Sequence, residues 1–188
     1  MKQTLWWLLV VAALATVGCA QGTARSSLTS HEIQAAPEGT LAETRPLFVI
    51  ERSKNANVVH YDARLTADGN LDPREPVIAY YVMLAEDGRR KELNWIERTM
   101  AYGFDIKQDA SARGYEMTIV GAPQRSITVR REGHAVRAEM VIDGQQAFVE
   151  KMYINVSEAL PWPKVEFIDL YGKDVRTGER RFEEIVPK

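Results

Sequence analysis

The chain has 188 residues, of which 45% are hydrophobic and 27% are charged, and its formal net charge is −2. This is the composition of an ordinary globular protein that is long enough for one hydrophobic core. The near-neutral charge excludes a global positive field that would attract nucleic acid, and the single cysteine, Cys19, excludes an intrachain disulfide.

Residues 1–18 predict a lipoprotein-type signal peptide. Lys2 supplies a positive charge, and residues 5–14 form an apolar run that is too short for a secure membrane span. The run leads to Gly18 and Cys19, which resemble the end of the lipobox of bacterial lipoproteins. In such proteins the cysteine is lipidated and becomes the new N-terminus, so Cys19 is the predicted lipidation site.

Two residues beside Cys19 refine this prediction. Thr16 stands where a lipobox usually has leucine, so the alternative is ordinary cleavage after Ala20 and release into the periplasm. Ala20, in place of aspartate, resembles the lipoproteins of Gram-negative bacteria that move on to the outer membrane. We therefore expect attachment through Cys19 alone, at the periplasmic face of the outer membrane.

Residues 19–45 are mostly small and polar and show no apolar period, so they predict a flexible tether. Its random-coil reach is about 25–30 Å. Residues 46–188 are predicted to form a single β-rich domain.

The first predicted hairpin joins strands at 47–53 and 58–65 through a polar loop at 54–57. This loop would pair Arg52 with Val59 and Ile50 with Tyr61, which places Arg52 on the apolar, core-facing side of the hairpin. A guanidinium in that position needs a carboxylate, backbone carbonyls or an anionic ligand. The alternative is that the Arg52 side chain extends past the loop into solvent and covers apolar surface without binding a ligand.

The middle of the chain predicts a buried strand at 77–84 and then a short helix. Asn94 lies three residues before Glu97, which is the spacing of a capping box. Strands are predicted at 102–108 and 114–120.

Residues 125–157 predict a meander of three strands. Its two turns are assigned to Glu132-Gly133 and Asp143-Gly144 as central residues. Alternation then places one set of side chains on a buried face: Ile127, Val129, Val136, Ala138, Met140, Ile142, Ala147 and Val149. The opposite face is predicted to be solvated: Thr128, Arg130, Arg137 and Glu139.

Two last strands are predicted at 165–170 and 180–186, and we expect the C-terminal part to pair back toward the first hairpin. The predicted fold class is all-β, an antiparallel meander that closes into a barrel or barrel-like sandwich of about 8–10 strands with one short helix.

Several runs of the sequence resemble a known family. They are RSKNANVVHY at 52–61, LDP at 71–73 with Pro76, WIE at 95–97, AYG at 101–103, VEFIDLYG at 165–172 and TG at 177–178. As a set they resemble the uncharacterised domain-of-unknown-function family numbered 4833, over roughly 47–187. The resemblance implies no activity, because the family brings none.

Candidate chemistry is sparse. Ser53, His60 and Asp62 contain the residue types of a nucleophile, a base and an orienting acid, but the predicted register does not place Ser53 opposite His60. His60, Asp62 and Arg64 alternate along one strand, which is typical of a solvated face. No histidine, cysteine or carboxylate cluster has metal-ligand spacing, so no metal and no cofactor is predicted.

The candidate ligand-binding residues are those around the predicted position of Arg52: Arg52, Asn55, Asn57, Tyr61 and Glu97, with Glu97 as the expected internal partner of the guanidinium. Aromatic residues could line a pocket or simply fill the core: Tyr61, Tyr80, Tyr81, Trp95, Tyr102, Phe104 and Trp162.

Three functions stay open at this point. The first is a lipid-anchored module that binds a small ligand at one end of its barrel. The second is a structural or assembly lipoprotein that binds a partner protein at a strand edge. The third is an enzyme of unrecognised type. A deep cavity lined by Arg52 and Tyr61 would favour the first, and a filled interior with an exposed apolar patch would favour the second.

Overall fold

The computed structural model describes residues 43–110, 114–157 and 164–187. These residues form eleven strands in chain order: β1 Glu43–Arg52, β2 Asn55–Leu65, β3 Val77–Val82, β4 Arg90–Glu92, β5 Phe104–Gln108, β6 Gly114–Ile119, β7 Ser126–Glu132, β8 Ala135–Ile142, β9 Gln145–Val156, β10 Val165–Asp174 and β11 Arg180–Ile185. One short helix, α1 Trp95–Glu97, continues into a π-helical turn, Arg98–Tyr102. We refer to both together as the helical segment 95–102.

The strands form one curled sheet with the order β4-β3-β2-β1-β9-β8-β7-β6-β5, and β10 and β11 branch from β9. The curl makes a half-barrel, which confirms the predicted all-β, barrel-like fold. Eleven described strands exceed the eight to ten expected. The strand β1 begins at Glu43, within the last residues of the predicted tether.

The long strand β9 holds the sheet together. Residues 145–148 pair with β8, residues 151–154 pair with β1, and the opposite edge of β9 pairs with β10. The β1–β9 pairing is parallel, whereas the sequence predicts only antiparallel neighbours. The expectation that the C-terminal strands pair toward the first hairpin is wrong, because β10 and β11 extend the sheet from β9 instead.

The two turns of the central meander differ in how well the sequence predicts them. Asp143 and Gly144 are the central residues of their turn, as predicted, since Ile142 pairs with Gln145. The prediction of the other turn is wrong by one residue. Glu132 pairs with Ala135, so Gly133 and His134 are the central residues of this turn. Every side chain of the meander nevertheless lies on the face of the sheet that was predicted for it. A shift of the turn by one residue changes the pairing by two positions, and that keeps every side chain on its face.

The first hairpin also turns earlier than predicted. Arg52 pairs with Asn55, so the turn residues are Ser53 and Lys54, not 54–57. Lys54 has φ 61°, and the register shifts between Ile50 and Arg52. Ile50 therefore pairs with Val59 and Phe48 with Tyr61, so the predicted pairs Ile50–Tyr61 and Arg52–Val59 are wrong. Lysine rarely adopts positive φ, which is why the sequence favours the wrong loop. The predicted core face is nevertheless buried: Phe48, Ile50, Val59, Tyr61 and Ala63.

Replacing Gly144 with valine is expected to lower the free energy of unfolding by about 1–3 kcal/mol. Asp143 and Gly144 have φ values of 50° and 71°, as the preferred two-residue hairpin turn requires. No atom lies within 4 Å of a Cβ built on Gly144, so the cost comes from the backbone angle alone. Chemical denaturation measures it. Gly144→Asn is the matched control and should retain most of the stability, because asparagine tolerates this conformation. Equal losses in both variants would contradict the assignment.

Candidate functional site

The interior of the half-barrel beside Tyr61 is filled by side chains. Tyr61 is 0% exposed, its ring stacks on Phe48 with centroids 4.6 Å apart, and its hydroxyl donates a hydrogen bond of 2.7 Å to the carbonyl oxygen of Tyr102. The Phe104 ring also packs against the Tyr61 ring, at a tilt and with centroids 6.1 Å apart. Burial raises the pKa of the Tyr61 phenol well above its usual range, so the hydroxyl stays a donor. Tyr61 therefore acts as a packed core residue in this structure.

Arg52 lies at the end of β1, opposite Asn55, and its Nε atom is buried with no hydrogen-bond partner among the described residues. Burial is the main cause of a raised pKa at the Tyr81 phenol; the charge of Glu97 raises it further and the charge of Arg52 lowers it. Arg52 and Glu97 thus both act on Tyr81. No ion pair joins Arg52 and Glu97, and the Glu97 carboxylate instead accepts a hydrogen bond from the backbone N–H of Asn94 in the predicted capping box.

The two asparagines take part in local structure. The Oδ1 of Asn55 accepts a hydrogen bond of 3.0 Å from the backbone N–H of Asn57, and the Oδ1 of Asn57 accepts one of 3.4 Å from Ala85. Arg52 and Asn55 are thus neighbours, whereas Tyr61 lies in the core and Glu97 caps the helix. None of the five candidate ligand-binding residues lines the cavities described below.

One cavity among the described residues is an open groove of about 680 Å³. It lies where the two ends of the sheet path, β3–β4 and β5, face each other without pairing. Its apolar lining residues are Val77, Ile78, Ala79, Leu93, Phe104 and Val120. Its charged lining residues are Arg64, Glu75, Arg90, Lys91, Glu92, Arg98 and Asp105. We call this cavity the seam groove.

Two lining residues of the seam groove, Tyr80 and Arg90, form a polar cluster with the buried Asp62 behind them. Asp62 is only 3% exposed, and its Oδ2 accepts hydrogen bonds from the Tyr80 hydroxyl at 2.7 Å and from Arg90 at 3.0 Å. Arg90 also lies over the Tyr80 ring, 3.8 Å from its centroid. The predicted solvated face of β2 is therefore wrong at Asp62. Its side chain does point away from the core, but residues of β3 and β4 cover it.

His60 and Ser53 do not assemble into a catalytic arrangement with Asp62. The His60 ring stacks on Tyr80, and burial is the main reason that its pKa is lowered. The Ser53 hydroxyl oxygen accepts a hydrogen bond of 2.9 Å from the backbone N–H of Val156 in β9. Ser53 therefore ties the first hairpin to β9, at the turn and away from the polar cluster.

Three apolar side chains of the helical segment stand in solvent beside the seam groove. Trp95 is 75% exposed, Ile96 61% and Met100 71%. Arg98 and Thr99, from the same segment, line the groove itself. The capping box at Asn94 starts the helix, and the π-helical turn ends at Tyr102, whose ring packs edge-on against Tyr81 in the core. We call Trp95, Ile96 and Met100 the apolar helix surface.

A family model described as Domain of unknown function (DUF4833) matches residues 48–184. The chain belongs to this family. The match confirms the resemblance found in the sequence and covers almost the whole described domain. Searches of curated proteins and of solved structures gave no match.

Sequence reasoning missed both the seam groove and the apolar helix surface of this DUF4833 chain. The groove depends on which strands stay unpaired, and that is decided by the non-local β1–β9 pairing. The apolar surface left a clear signal, since Trp95 and Ile96 are adjacent in a helix too short to bury both. Cys19 and Trp162 lie outside the described residues.

A second buried carboxylate of the DUF4833 domain corrects the predicted solvated face of the meander. Glu139 is 5% exposed and forms an ion pair of 2.8 Å with Arg130. Burial is the main cause that raises the pKa of Glu139, and the charge of Arg130 opposes it. The pair lines a smaller groove of about 520 Å³ with Thr128, Gln145 and Gln146. Outward-facing residues can thus still be covered by their neighbours.

Asp174 closes the β10–β11 turn. Its Oδ1 accepts hydrogen bonds from the backbone N–H groups of Arg176 and Thr177, at 2.9 and 3.0 Å, and its Oδ2 accepts one of 2.9 Å from Arg181. The two backbone donors are the main causes that lower the pKa of Asp174 to about 2. The carboxylate is therefore a structural element of the turn.

Stability is expected to depend on the charge of Asp174. Because its folded pKa is depressed, its contribution is present above the usual aspartate value and is lost as pH falls through about 2. The gap in urea midpoint between wild type and Asp174→Asn should be widest near neutral pH and should shrink toward pH 2. Asp105→Asn, at an exposed position of β5, is the control and should follow wild type. A difference in urea midpoint that does not change with pH would rule out a stabilising role for the charge of Asp174.

No helix within the described ranges is long and apolar enough to cross a bilayer. The same ranges contain no group of three or more histidine, cysteine, aspartate or glutamate side chains placed to hold a metal ion.

Proposed function

We propose that this protein is a lipid-anchored binding module of the bacterial cell envelope that acts by docking a partner protein. In this proposal Cys19 carries the lipid and the tether holds the domain near the periplasmic face of the outer membrane. The domain presents the apolar helix surface and the seam groove to the partner. Of the three functions that the sequence leaves open, this is the structural or assembly lipoprotein.

The observation that carries the proposal is the exposure of Trp95, Ile96 and Met100 on one short segment. Contiguous apolar side chains in water mark interaction surfaces, and tryptophan is the residue most enriched among those that dominate binding energy. The capping box and the contact of Tyr102 with the core hold the segment in place. A partner would therefore meet a preorganised surface, which limits the entropy lost on binding.

The packed interior argues against a small ligand held inside the half-barrel. Tyr61 and Phe48 occupy the space that such a ligand would need, and the Tyr61 hydroxyl is already paired with a backbone carbonyl. The charges at the seam groove also favour a polypeptide over a nucleic acid. Carboxylates of Glu75 and Glu92 accompany its arginines, so the groove offers no uniformly positive surface for phosphates.

Site-specific photo-crosslinking in living cells tests the docking surface. p-Benzoylphenylalanine is introduced at Ile96, at Met100, and at Val141 as the matched control, an apolar residue 42% exposed on β8. The expected result is that one and the same protein is captured from Ile96 and Met100 and not from Val141. Adding Trp95→Ser, at a solvent-exposed position, should abolish the capture.

Three results would overturn the proposal. The first is the absence of an adduct at Ile96 and Met100, and the second is the same adducts at Val141. The third is a small molecule that stays bound to the purified protein in native mass spectrometry and is released by Tyr61→Phe. The third result would place a ligand in the interior that this structure shows as packed.

Cys19 is predicted to be the lipid attachment point. Cells that express the wild-type chain should incorporate radiolabelled palmitate into it, and Cys19→Ser should lose the label and leave the membrane fraction. Membrane attachment of Cys19→Ser equal to that of wild type, or wild type without label, would contradict the lipoprotein assignment.

A further inference from the structure

The strand β11 forms an edge of the sheet that no described strand covers. Its six residues, Arg180–Ile185, pair with β10 alone. The β10–β11 ladder contains no irregularity, and β11 contains no proline. Natural proteins protect such edges with bulges, prolines, charges or covering elements. Among the described residues β11 has only its charges, and their order along the strand decides what the edge can bind.

Alternate backbone groups of β11 point away from β10. The N–H of Asp174 donates a hydrogen bond of 2.8 Å to the carbonyl oxygen of Glu179, one step beyond the last pair of the ladder. Hydrogen-bonded pairs alternate with non-hydrogen-bonded pairs in an antiparallel ladder, so Arg181 and Glu183 bond to β10. No backbone hydrogen bond among the described residues reaches the groups between them. The residues whose backbone N–H and carbonyl groups face outward are Arg180, Phe182 and Glu184.

The opposite edge of β10 shows the same alternation. The N–H of Ser53 donates a hydrogen bond of 2.9 Å to the carbonyl oxygen of Ile154, so the backbone groups of Ile154 face β1 and those of Tyr153 face β10. Tyr153 lies opposite Asp169, so the backbone groups of Asp169 bond toward β9. Asp169 and Glu184 therefore form a non-hydrogen-bonded pair, and the N–H and carbonyl of Glu184 point out of the sheet edge.

Two charged side chains of β11 lie beside like charges of β10. Arg180 is opposite Lys173, and Glu184 is opposite Asp169. Like charges that lie directly opposite each other destabilise a sheet. Lys173 pairs with Glu150, whereas Arg180 and Glu184 form no ion pair or side-chain hydrogen bond with any described residue. A neighbouring strand that carries the opposite charges would therefore stabilise this edge.

We propose that β11 is a self-association surface through which two copies of this chain form a dimer. The two β11 strands run antiparallel, and the two-fold axis passes through Phe182, so that one sheet continues from one copy into the other. The inference goes beyond the proposed docking function and does not depend on it. No residue of β11 belongs to the seam groove or to the apolar helix surface.

This pairing satisfies the backbone and the charges of the edge at the same time. Each Arg180 lies opposite Glu184 of the other copy, and the two Phe182 residues lie opposite each other. All three positions have outward backbone groups, so each facing pair exchanges two N–H···O=C hydrogen bonds. The Arg180–Glu184 pairs also bring opposite charges together, which stabilises neighbouring strands.

The neighbouring registers bring like charges together. An outward backbone position can pair only with another outward position, so the nearest alternative axes pass through Arg181 or Glu183. An axis at Arg181 places two guanidinium groups opposite each other, and an axis at Glu183 does the same with two carboxylates. Of these three registers, only the axis at Phe182 places cations opposite anions along the whole run from Arg180 to Glu184.

Phe182 forms the apolar centre of the proposed dimer. Its side chain is 52% exposed, and its ring packs against Tyr171 of β10 with centroids 5.3 Å apart. On the axis the two Phe182 rings meet, and each buries surface that faces water in a single copy. A single pair of strands is small for an interface, so we expect a dissociation constant of about 10–100 µM.

Charge reversal tests the pairing in the purified chain 19–188 with Cys19→Ser, which contains every described residue. Arg180→Glu and Glu184→Arg each place like charges opposite each other at two sites of the dimer. Each should raise the dissociation constant by at least about tenfold in sedimentation equilibrium. Both variants should fold, because each substitution also turns a like-charge pair with β10 into an opposite-charge pair.

An equimolar mixture of the two variants is the matched control. Each chain then meets the complementary charge on the other, so the mixture should form mixed dimers with an affinity within about threefold of wild type. A mixture that is no more dimeric than its components would overturn the pairing. So would a wild-type chain that is monomeric at about 1 mM, or single variants that dimerise like wild type.

A cysteine variant of the same chain locates the axis. In a hydrogen-bonded antiparallel pair the Cα atoms are about 5.5 Å apart, which allows a disulfide. Phe182→Cys should therefore give a covalent dimer with oxidised glutathione, at protein concentrations above the dissociation constant. The two copies of Arg180 lie about 14 Å apart along the strands, so Arg180→Cys should give none on a non-reducing gel. A covalent dimer of Arg180→Cys, or none of Phe182→Cys, would overturn the axis at Phe182.

Discussion

Replacing Tyr61 with alanine should lower the free energy of unfolding by about 3–5 kcal/mol, because the substitution leaves a cavity at a fully buried aromatic position. Phe48 loses a stacking partner, Phe104 loses its neighbouring ring, and the carbonyl of Tyr102 loses its donor. Urea denaturation of the purified soluble domain measures the change. The large loss follows directly from a packed interior.

Tyr61→Phe is the matched control, since it keeps the ring and removes only the hydroxyl. It should cost about 1–3 kcal/mol, the range for a buried carbonyl that loses its partner. A loss below about 1 kcal/mol for Tyr61→Ala would mean that the ring borders open space, since filled core positions do not tolerate such truncation. That result would reinstate the small-ligand hypothesis.

Gly172→Ala should also destabilise strongly, by about 3 kcal/mol, at the upper end of the usual cost of overpacking. A Cβ at Gly172 would lie 2.4 Å from the carbonyl oxygen of Phe148 and 2.8 Å from Cδ1 of Ile142. The first neighbour is backbone of the adjacent strand, so it cannot move aside alone. The β9–β10 pairing, which carries the C-terminal strands, would have to shift.

The neighbouring position provides the control for Gly172. Lys173 is half exposed and pairs with Glu150 at the surface, so Lys173→Val should cost less than about 1 kcal/mol. Thermal unfolding followed by circular dichroism compares the two variants. Equal shifts in the melting temperature would show that any change in this part of β10 is harmful and that the close contact at Gly172 is not the cause.

Local alternation in the sequence predicted the faces of the strands better than their turns. Ile127 and Val129 are buried as expected, although the turn that follows them lies one residue later than predicted. Phe48 and Val59 are likewise buried despite the wrong loop. Period-two alternation is a property of each strand by itself, and it tolerates any even error in register.

The remaining features depend on contacts that local sequence does not encode. Asp62 and Glu139 lie on the outward face, as alternation requires, yet Tyr80, Arg90 and Arg130 cover them. The parallel β1–β9 pairing joins distant segments with no turn signal between them. The seam groove follows from that pairing, so the candidate site could not be derived before the topology was known.

The pairing of β1 with β9 also has a consequence for how this protein folds. Glu51 and Lys151, whose side chains meet across this pairing, are 100 residues apart in the chain. Contacts between such distant segments form late, because a long loop must close before they are made. Because the chain is synthesised N-terminus first, the β1–β2 hairpin is complete long before β9 is made. During that interval the open edge of β1 can pair with another chain, so we expect folding to be slow and sensitive to chaperones.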